Sequence, residues 1–219
     1  MRKPATYDAL ARLGRVQLSR HFYMRNFLNS EIGNFYGVPN LPDDPDLAIA
    51  AGTRLAENLL EPIVETFGPI EIRSGHRSPE INAFGNRQGH QCARNEATFA
   101  NHIWDRRDSE GRMGACVSVV IPWFAAQYNL GRDWRDLAWW LHDHIPHHAV
   151  WFFPLNAAFN LTWREEPEHS TSSYIAPKGY LVRPGVKPGL SQSAREGRYS
   201  DFPTFRGIKY PAIPATTGL

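Results

Sequence analysis

The sequence predicts an α+β fold in which N-terminal helices pack on a small antiparallel sheet. Helix-type patterns come first along the chain, and strand-type runs gather in the second half. Breaker clusters separate them. That order, rather than an alternation of strand and helix, points away from a parallel βαβ sheet.

Residues 18–37 mix aromatics with helix formers and end at Gly37-Val38-Pro39-Asn40, a breaker cluster. Pro42-Asp43-Asp44-Pro45-Asp46 opens the best helix, with apolar residues at Leu47, Ala51, Leu55, Leu59, Ile63 and Phe67 on one face. Gly68-Pro69 stops it. Ile70-Glu71-Ile72-Arg73 alternates and reads as a short strand. Ser78-Pro79 starts a helix, with Ser as N-cap and Pro where its missing N–H costs nothing. Residues 85–114 are polar and irregular, a length at which a connection is usually functional or mobile. Residues 116–121 form a β-branched run bounded by Gly114 and Pro122, a buried strand. Asp133 caps a helix carrying Trp134, Leu137, Leu141 and Ile145, and residues 148–153 and 158–163 are two further strands.

At 219 residues the chain suits one sizeable core, and 42% hydrophobic against 21% charged residues excludes a disordered chain, a collagen and a coiled coil. No apolar run reaches the roughly 18 residues of a membrane helix. The first eight residues lack an apolar export signal, and two cysteines, Cys92 and Cys116, cannot frame a disulfide scaffold, so a cytoplasmic location is expected. A net charge of +2 does not imply nucleic acid, and neither nucleic acid nor membrane is an expected partner. Residues 181–219 hold five prolines, five glycines and six Lys/Arg against two Asp/Glu. This basic tail buries little alone and is expected to lie against the domain or a partner. The organisation is thus an extension (1–17), a domain (18–180) and the tail.

Three clusters carry candidate chemistry. Arg73-Ser74-Gly75-His76-Arg77-Ser78-Pro79 runs from a strand through a turn into a helix start. A guanidinium there is placed to grip a carboxylate with two parallel bonds, or to pair with a structural Asp or Glu. Asn101-His102-Ile103-Trp104-Asp105-Arg106-Arg107-Asp108 offers an imidazole and two carboxylates for a divalent metal, or a loop held by Asp–Arg pairs. His142, Asp143, His144, His147 and His148 crowd seven positions without sharing one face, and His148 is the best ligand among them. There is no Gly-rich phosphate loop, no H-E-x-x-H, no G-x-S-x-G and no C-x-x-C. Cys116, inside a β-branched run, reads as a small core residue.

The order of these features resembles the M15-type D,D-carboxypeptidases, which include phage endolysin and peptidoglycan peptidase domains. The resemblance spans about residues 18 to 165. Leu18-Ser19, Phe22, Phe27, Ser30 and Gly37-Val38-Pro39-Asn40-Leu41-Pro42 are similar to the family's opening. Arg73-Ser74-Gly75-His76-Arg77-Ser78-Pro79-Glu80-Ile81-Asn82 is similar to its S-G-y-R-S-p-x-x-N element. The resemblance implies an M15 or hedgehog-peptidase-like α+β fold and makes Arg77 the group that holds a substrate's C-terminal carboxylate. It also implies a zinc site of the pattern S-x-H-x-x-G-x-A-x-D, with a second histidine after a late tryptophan. His102 matches the first ligand, but Ala100 replaces the serine and Ser109 the aspartate. With an insertion, Gly114-Ala115-Cys116-Val117-Ser118 takes that place and Ser118 the acid's. A register through His90 puts Ala97 there, and Arg164 follows Trp163 where a histidine is expected.

The expectation is therefore a metal-dependent amide hydrolase-like protein with a rearranged site, acting on a small carboxylate-ended peptide or amino-acid-like substrate. Arg77, Asp105 and Arg164 are its catalytic candidates. His102, Asp108 and His148 are its metal candidates, with a divalent cation, zinc by preference, as cofactor, and His169 is a further substitute for the lost histidine. The alternatives are the same scaffold recruited to non-peptidase chemistry, with Arg164 as a second positive group, or a non-enzymatic module that binds peptidoglycan or a protein.

Overall fold

The computed structural model describes residues 1–90 and 92–205, so 206–219 of the tail lie outside the described residues. The helices are α1 (Tyr7–Gly14), α2 (Glu31–Tyr36), α3 (Pro45–Leu55), α4 (Glu61–Phe67), α5 (Pro79–Arg87), α6 (Pro122–Asn129), α7 (Trp134–His144) and α8 (Gln192–Arg198). The strands are β1 (Glu71–Ser74), β2 (Gly114–Val120), β3 (Ala149–Phe152), β4 (Phe159–Arg164), β5 (Ser170–Ser173) and β6 (Gly179–Val182).

The apolar stripe from Leu47 to Phe67 forms one helical rod, but not a uniform one. Asp44 caps its start by accepting from the Leu47 N–H. A π turn at Ala56–Leu60 separates α3 from α4. Pro62 lies just beyond this turn; it has no N–H, and its ring crowds the carbonyl four residues back. Widening the preceding turn lets the axis continue past it. Gly68 ends the rod in a left-handed φ of 81°.

The sheet runs β1-β2-β4-β3-β5-β6. It is mixed rather than antiparallel throughout, because β3 and β5 pair in parallel. Both edges of β4 are already taken by β2 and β3, so β5 crosses to the free edge of β3. A strand that turns back after β4 runs antiparallel to it and therefore parallel to β3.

Alternation gives the sheet two distinct faces. Ala115, Val117 and Val119 of β2, Leu161 and Phe159 of β4, and Val150 and Phe152 of β3 are buried in one core with Leu55, Leu59, Ile63 and Trp140. The intervening residues face the other way and floor a cleft. Helix α1 joins the same core through Leu13, and the segment after β5 joins it through Val182, Tyr199 and Phe202. Ion pairs hold the C-terminal segment, Arg195 to Asp143 at 2.7 Å and Arg132 to Asp201 at 2.6 Å. No helix among the described residues is long and apolar enough to cross a membrane.

Candidate functional site

The cleft over the second sheet face has a volume of about 1030 Å³. Strand register sets its floor. Cys116, Thr162 and Ala149 stand side by side across β2, β4 and β3, and Ser118, Asn160 and Trp151 form the next row. Ser118 donates to the Asn160 side-chain oxygen within that row. Arg73, Arg77, Cys92 and His102 form one wall, and Phe153 and Tyr174 extend the aromatic side beside Trp151.

Arg77 is held by a clamp of local polar contacts. Asn40, from the Gly-Val-Pro-Asn turn, donates to the His76 carbonyl at 2.8 Å and accepts from the Ser78 N–H at 2.8 Å. Ser78 caps α5 by accepting from Ile81. The Arg77 N–H donates to the His102 carbonyl at 2.7 Å, which ties the two sequence motifs together. Its guanidinium donates to Asn82 Oδ1 at 3.1 Å and to Cys92 Sγ at 3.4 Å. Asn82 is itself fixed through Nδ2 on the Ala93 carbonyl and Asn95. None of these partners is anionic. Among the described residues no carboxylate pairs with Arg77 or Arg73, and Glu31 is the sole carboxylate lining the cleft.

His102 is buried opposite Cys116. Its Nδ1 lies 3.2 Å from the Gly75 carbonyl, which only accepts, so Nδ1 carries the proton and Nε2 is left as an acceptor. Nε2 lies 3.6 Å from Cys116 Sγ. Burial, reinforced by the Arg77 charge, pushes the imidazole down to about 3, and burial pushes the thiol up to about 12. Both groups are therefore neutral at pH 7, and Cys116 is not an activated nucleophile. A sequence reading of Cys116 as a core residue captures its burial but not the face it occupies.

The other sequence candidates do not line the cleft. Asp105 is buried beneath the start of α3, where Oδ2 accepts from the Asp43 N–H at 2.6 Å and the Asp44 N–H at 3.3 Å. Replacing Asp105 by Ala strands both donors and is expected to cost about 2–4 kcal/mol in urea unfolding while leaving ligand binding intact. Asp108 closes its own turn by accepting from the Glu110 and Arg112 N–H groups, both at 2.9 Å, and pairs with Arg112. Arg164 donates from Nε to the Ala100 carbonyl at 3.2 Å and lies 3.8 Å from Asp108. His148 Nδ1 is 3.1 Å from the Glu166 carbonyl. His102, Asp108 and His148 do not converge. Among the described residues, the one group of three metal-grade side chains within ligand distance is His142, His147 and His169.

The zinc that the carboxypeptidase resemblance implies needs three protein donors and an open position. In the cleft, His102 and Cys116 stand near ligand distance of each other, and Glu31, His90 and Cys92 also line it, but among the described residues none of these joins the pair in a group of three within ligand reach. That donor set does not fit a catalytic zinc. Comparison of the chain with protein-family models, with curated proteins and with solved structures found no match.

Proposed function

We propose that this protein captures a small carboxylate-ended ligand, a short peptide or amino-acid-like molecule, in the cleft beside Arg77. The carrying observation is that the Arg77 guanidinium lines the cleft, is oriented by Asn82 and Cys92, and has no anionic partner among the described residues. A guanidinium so held offers a planar fork that matches a carboxylate with two charge-assisted bonds. Exposed Arg73 adds a second positive charge to the same wall. Trp151, packed with Tyr174, lends the same cleft an aromatic surface. The resemblance of the Arg73–Asn82 stretch to a carboxylate-holding element agrees with this reading. It corresponds to a peptidase-like scaffold used for chemistry other than zinc hydrolysis.

The test is thermal denaturation with N-acetylated dipeptides bearing either a free C-terminal carboxylate or a C-terminal amide. The free acids are expected to raise the melting temperature and the amides to leave it unchanged. Arg77→Ala removes the shift, and Arg77→Lys, a point charge without the fork, restores only part of it. Equal shifts from acids and amides, or none from either, reject the proposal.

A second reading, a metal-dependent amide hydrolase, draws on the 3.6 Å between His102 Nε2 and Cys116 Sγ. Nitrogen and sulfur ligands of one tetrahedral zinc stand ~3.6 Å apart. This reading requires a third donor to move within ligand reach of that pair, and it predicts zinc that is lost on His102→Ala.

A further inference from the structure

A separate cluster lies outside the cleft, where the end of α7 meets the chain entering β3 and β5. The parallel pairing of β3 with β5 sets Ala149 beside Ser170, and so brings His147 and His169, just ahead of those strands, together. His142, in the last turn of α7, completes the group. Each of the three offers a ring nitrogen, and these nitrogens all lie within 4.8 Å of one another. The ring centroids are 5.2 to 6.2 Å apart.

The hydrogen bonding of the cluster is unfinished in a particular way. His147 is fully buried, and its Nδ1 lies 2.9 Å from the Ile145 carbonyl. That carbonyl can only accept, so Nδ1 holds the proton and Nε2 presents a bare lone pair. Nε2 is buried with no hydrogen-bond partner, and so is His142 Nδ1. Orphaned polar atoms of this kind are costly, and ring stacking does not satisfy them. Fixing one imidazole nitrogen on a backbone carbonyl while the other points into a cluster is the arrangement that orients histidine metal ligands. His169 reaches the cluster from a left-handed backbone, φ 52°, a conformation that costs a non-glycine residue free energy.

We propose that His142, His147 and His169 bind one divalent transition-metal ion of the kind imidazole prefers, zinc first, through three neutral nitrogens. Around zinc at about 2.0–2.1 Å and near-tetrahedral angles the nitrogens stand ~3.4 Å apart. The partly exposed His142 and His169 side chains close that difference by rotation. Neighbouring Asp143 is committed to Arg195 and Tyr199 and supplies no fourth ligand. The fourth position is thus open to water or an exogenous anion. None of the three histidines lines the cleft, so this site stands apart from carboxylate capture by Arg77.

The experiment uses tag-free full-length protein, stripped with chelator and titrated with Zn(II), and separately with Co(II), whose visible d–d absorption reports low-coordinate nitrogen ligation. Stoichiometry is read by elemental analysis after gel filtration. One equivalent per chain is expected, with a rise in melting temperature. His142→Ala and His169→Ala, at partly exposed positions that the fold tolerates, are expected to weaken binding by more than the roughly 10–100-fold that loss of an outer-shell partner costs. His102→Ala is expected to leave it unchanged. Folded protein that takes up no stoichiometric metal overturns the proposal. So does metal that survives in His142→Ala and His169→Ala, while metal lost only in His102→Ala places the ion in the cleft and favours the hydrolase reading instead.

Discussion

Lowering the pH from 7 to 5.5 in the presence of a chelator is expected to remove on the order of 3–4 kcal/mol of stability. The cause is a set of three buried histidines. His76, His102 and His147 are each pushed from 6.5 down to about 3, chiefly by burial. Below pH 6.5 the unfolded chain binds protons that the folded chain refuses, so stability falls as pH falls, down to about pH 3. It is fully present above 6.5. Each group contributes on the order of 1 kcal/mol per pH unit inside that window. His142 and His148 are shifted in the same direction by burial and steepen the loss. Against a total stability of about 5–15 kcal/mol, the protein is expected to unfold between about pH 5 and pH 3.

Urea denaturation at several pH values measures this slope directly. His76 is the clean probe, because both of its ring nitrogens are buried without partners and its ring rests on Trp104 at 6.0 Å. His76→Leu removes one of the three largest contributions and is expected to flatten the slope by up to about a third. It also removes two orphaned polar atoms, so its stability at pH 7 is expected to match or exceed that of the parent. A stability that is level between pH 7 and 5.5, or a slope that His76→Leu leaves unchanged, refutes this account.

Local chemistry explains which parts of the fold are legible in the sequence. The rod from α3 to α4 follows from its apolar spacing, and the caps at Asp44, Ser78 and Asp133 follow from residue type. Strands β2, β3 and β4 follow from β-branched and aromatic runs. Strand β5 does not, because Ser170, Thr171, Ser172 and Ser173 are polar yet all buried. Pairing with β3 on one edge and β6 on the other makes that segment a strand. Helix α8 is nearly all polar, and ion pairs to residues more than 50 positions away hold it. The site divides the same way. Arg77 is legible because a strand, a turn and a helix start surround it in sequence. Thr162, Asn160 and Trp151 reach the cleft only through strand register, which periodicity alone does not assign to a partner. His169 lies 22 residues from His147 and joins it through the crossover.

Gly75→Ala is expected to be among the most damaging single-methyl changes in the molecule, at about 3 kcal/mol in urea unfolding. An added Cβ would stand 2.7 Å from Phe27 Cβ and 2.8 Å from both the Cα and the carbonyl oxygen of Phe27. Side chains can rotate away from a crowding methyl, but backbone atoms cannot. The strand-to-turn junction must therefore move, and it carries two site groups with it. The Gly75 carbonyl fixes His102 Nδ1, and Arg77 lies two residues on. Gly75→Ala is accordingly expected to weaken carboxylate binding as well as folding. Truncating Phe27 in the same chain is not expected to rescue it, since the Cα and carbonyl contacts remain and Phe27→Ala alone costs about 3–5 kcal/mol. Gly89→Ala provides the contrast. Its left-handed φ of 75° is strained for alanine, but nothing lies within 4 Å of the new methyl. That change is expected to cost about 1 kcal/mol and to leave binding untouched. If the two substitutions destabilise equally, the close approach at Phe27 is not what requires a glycine at position 75.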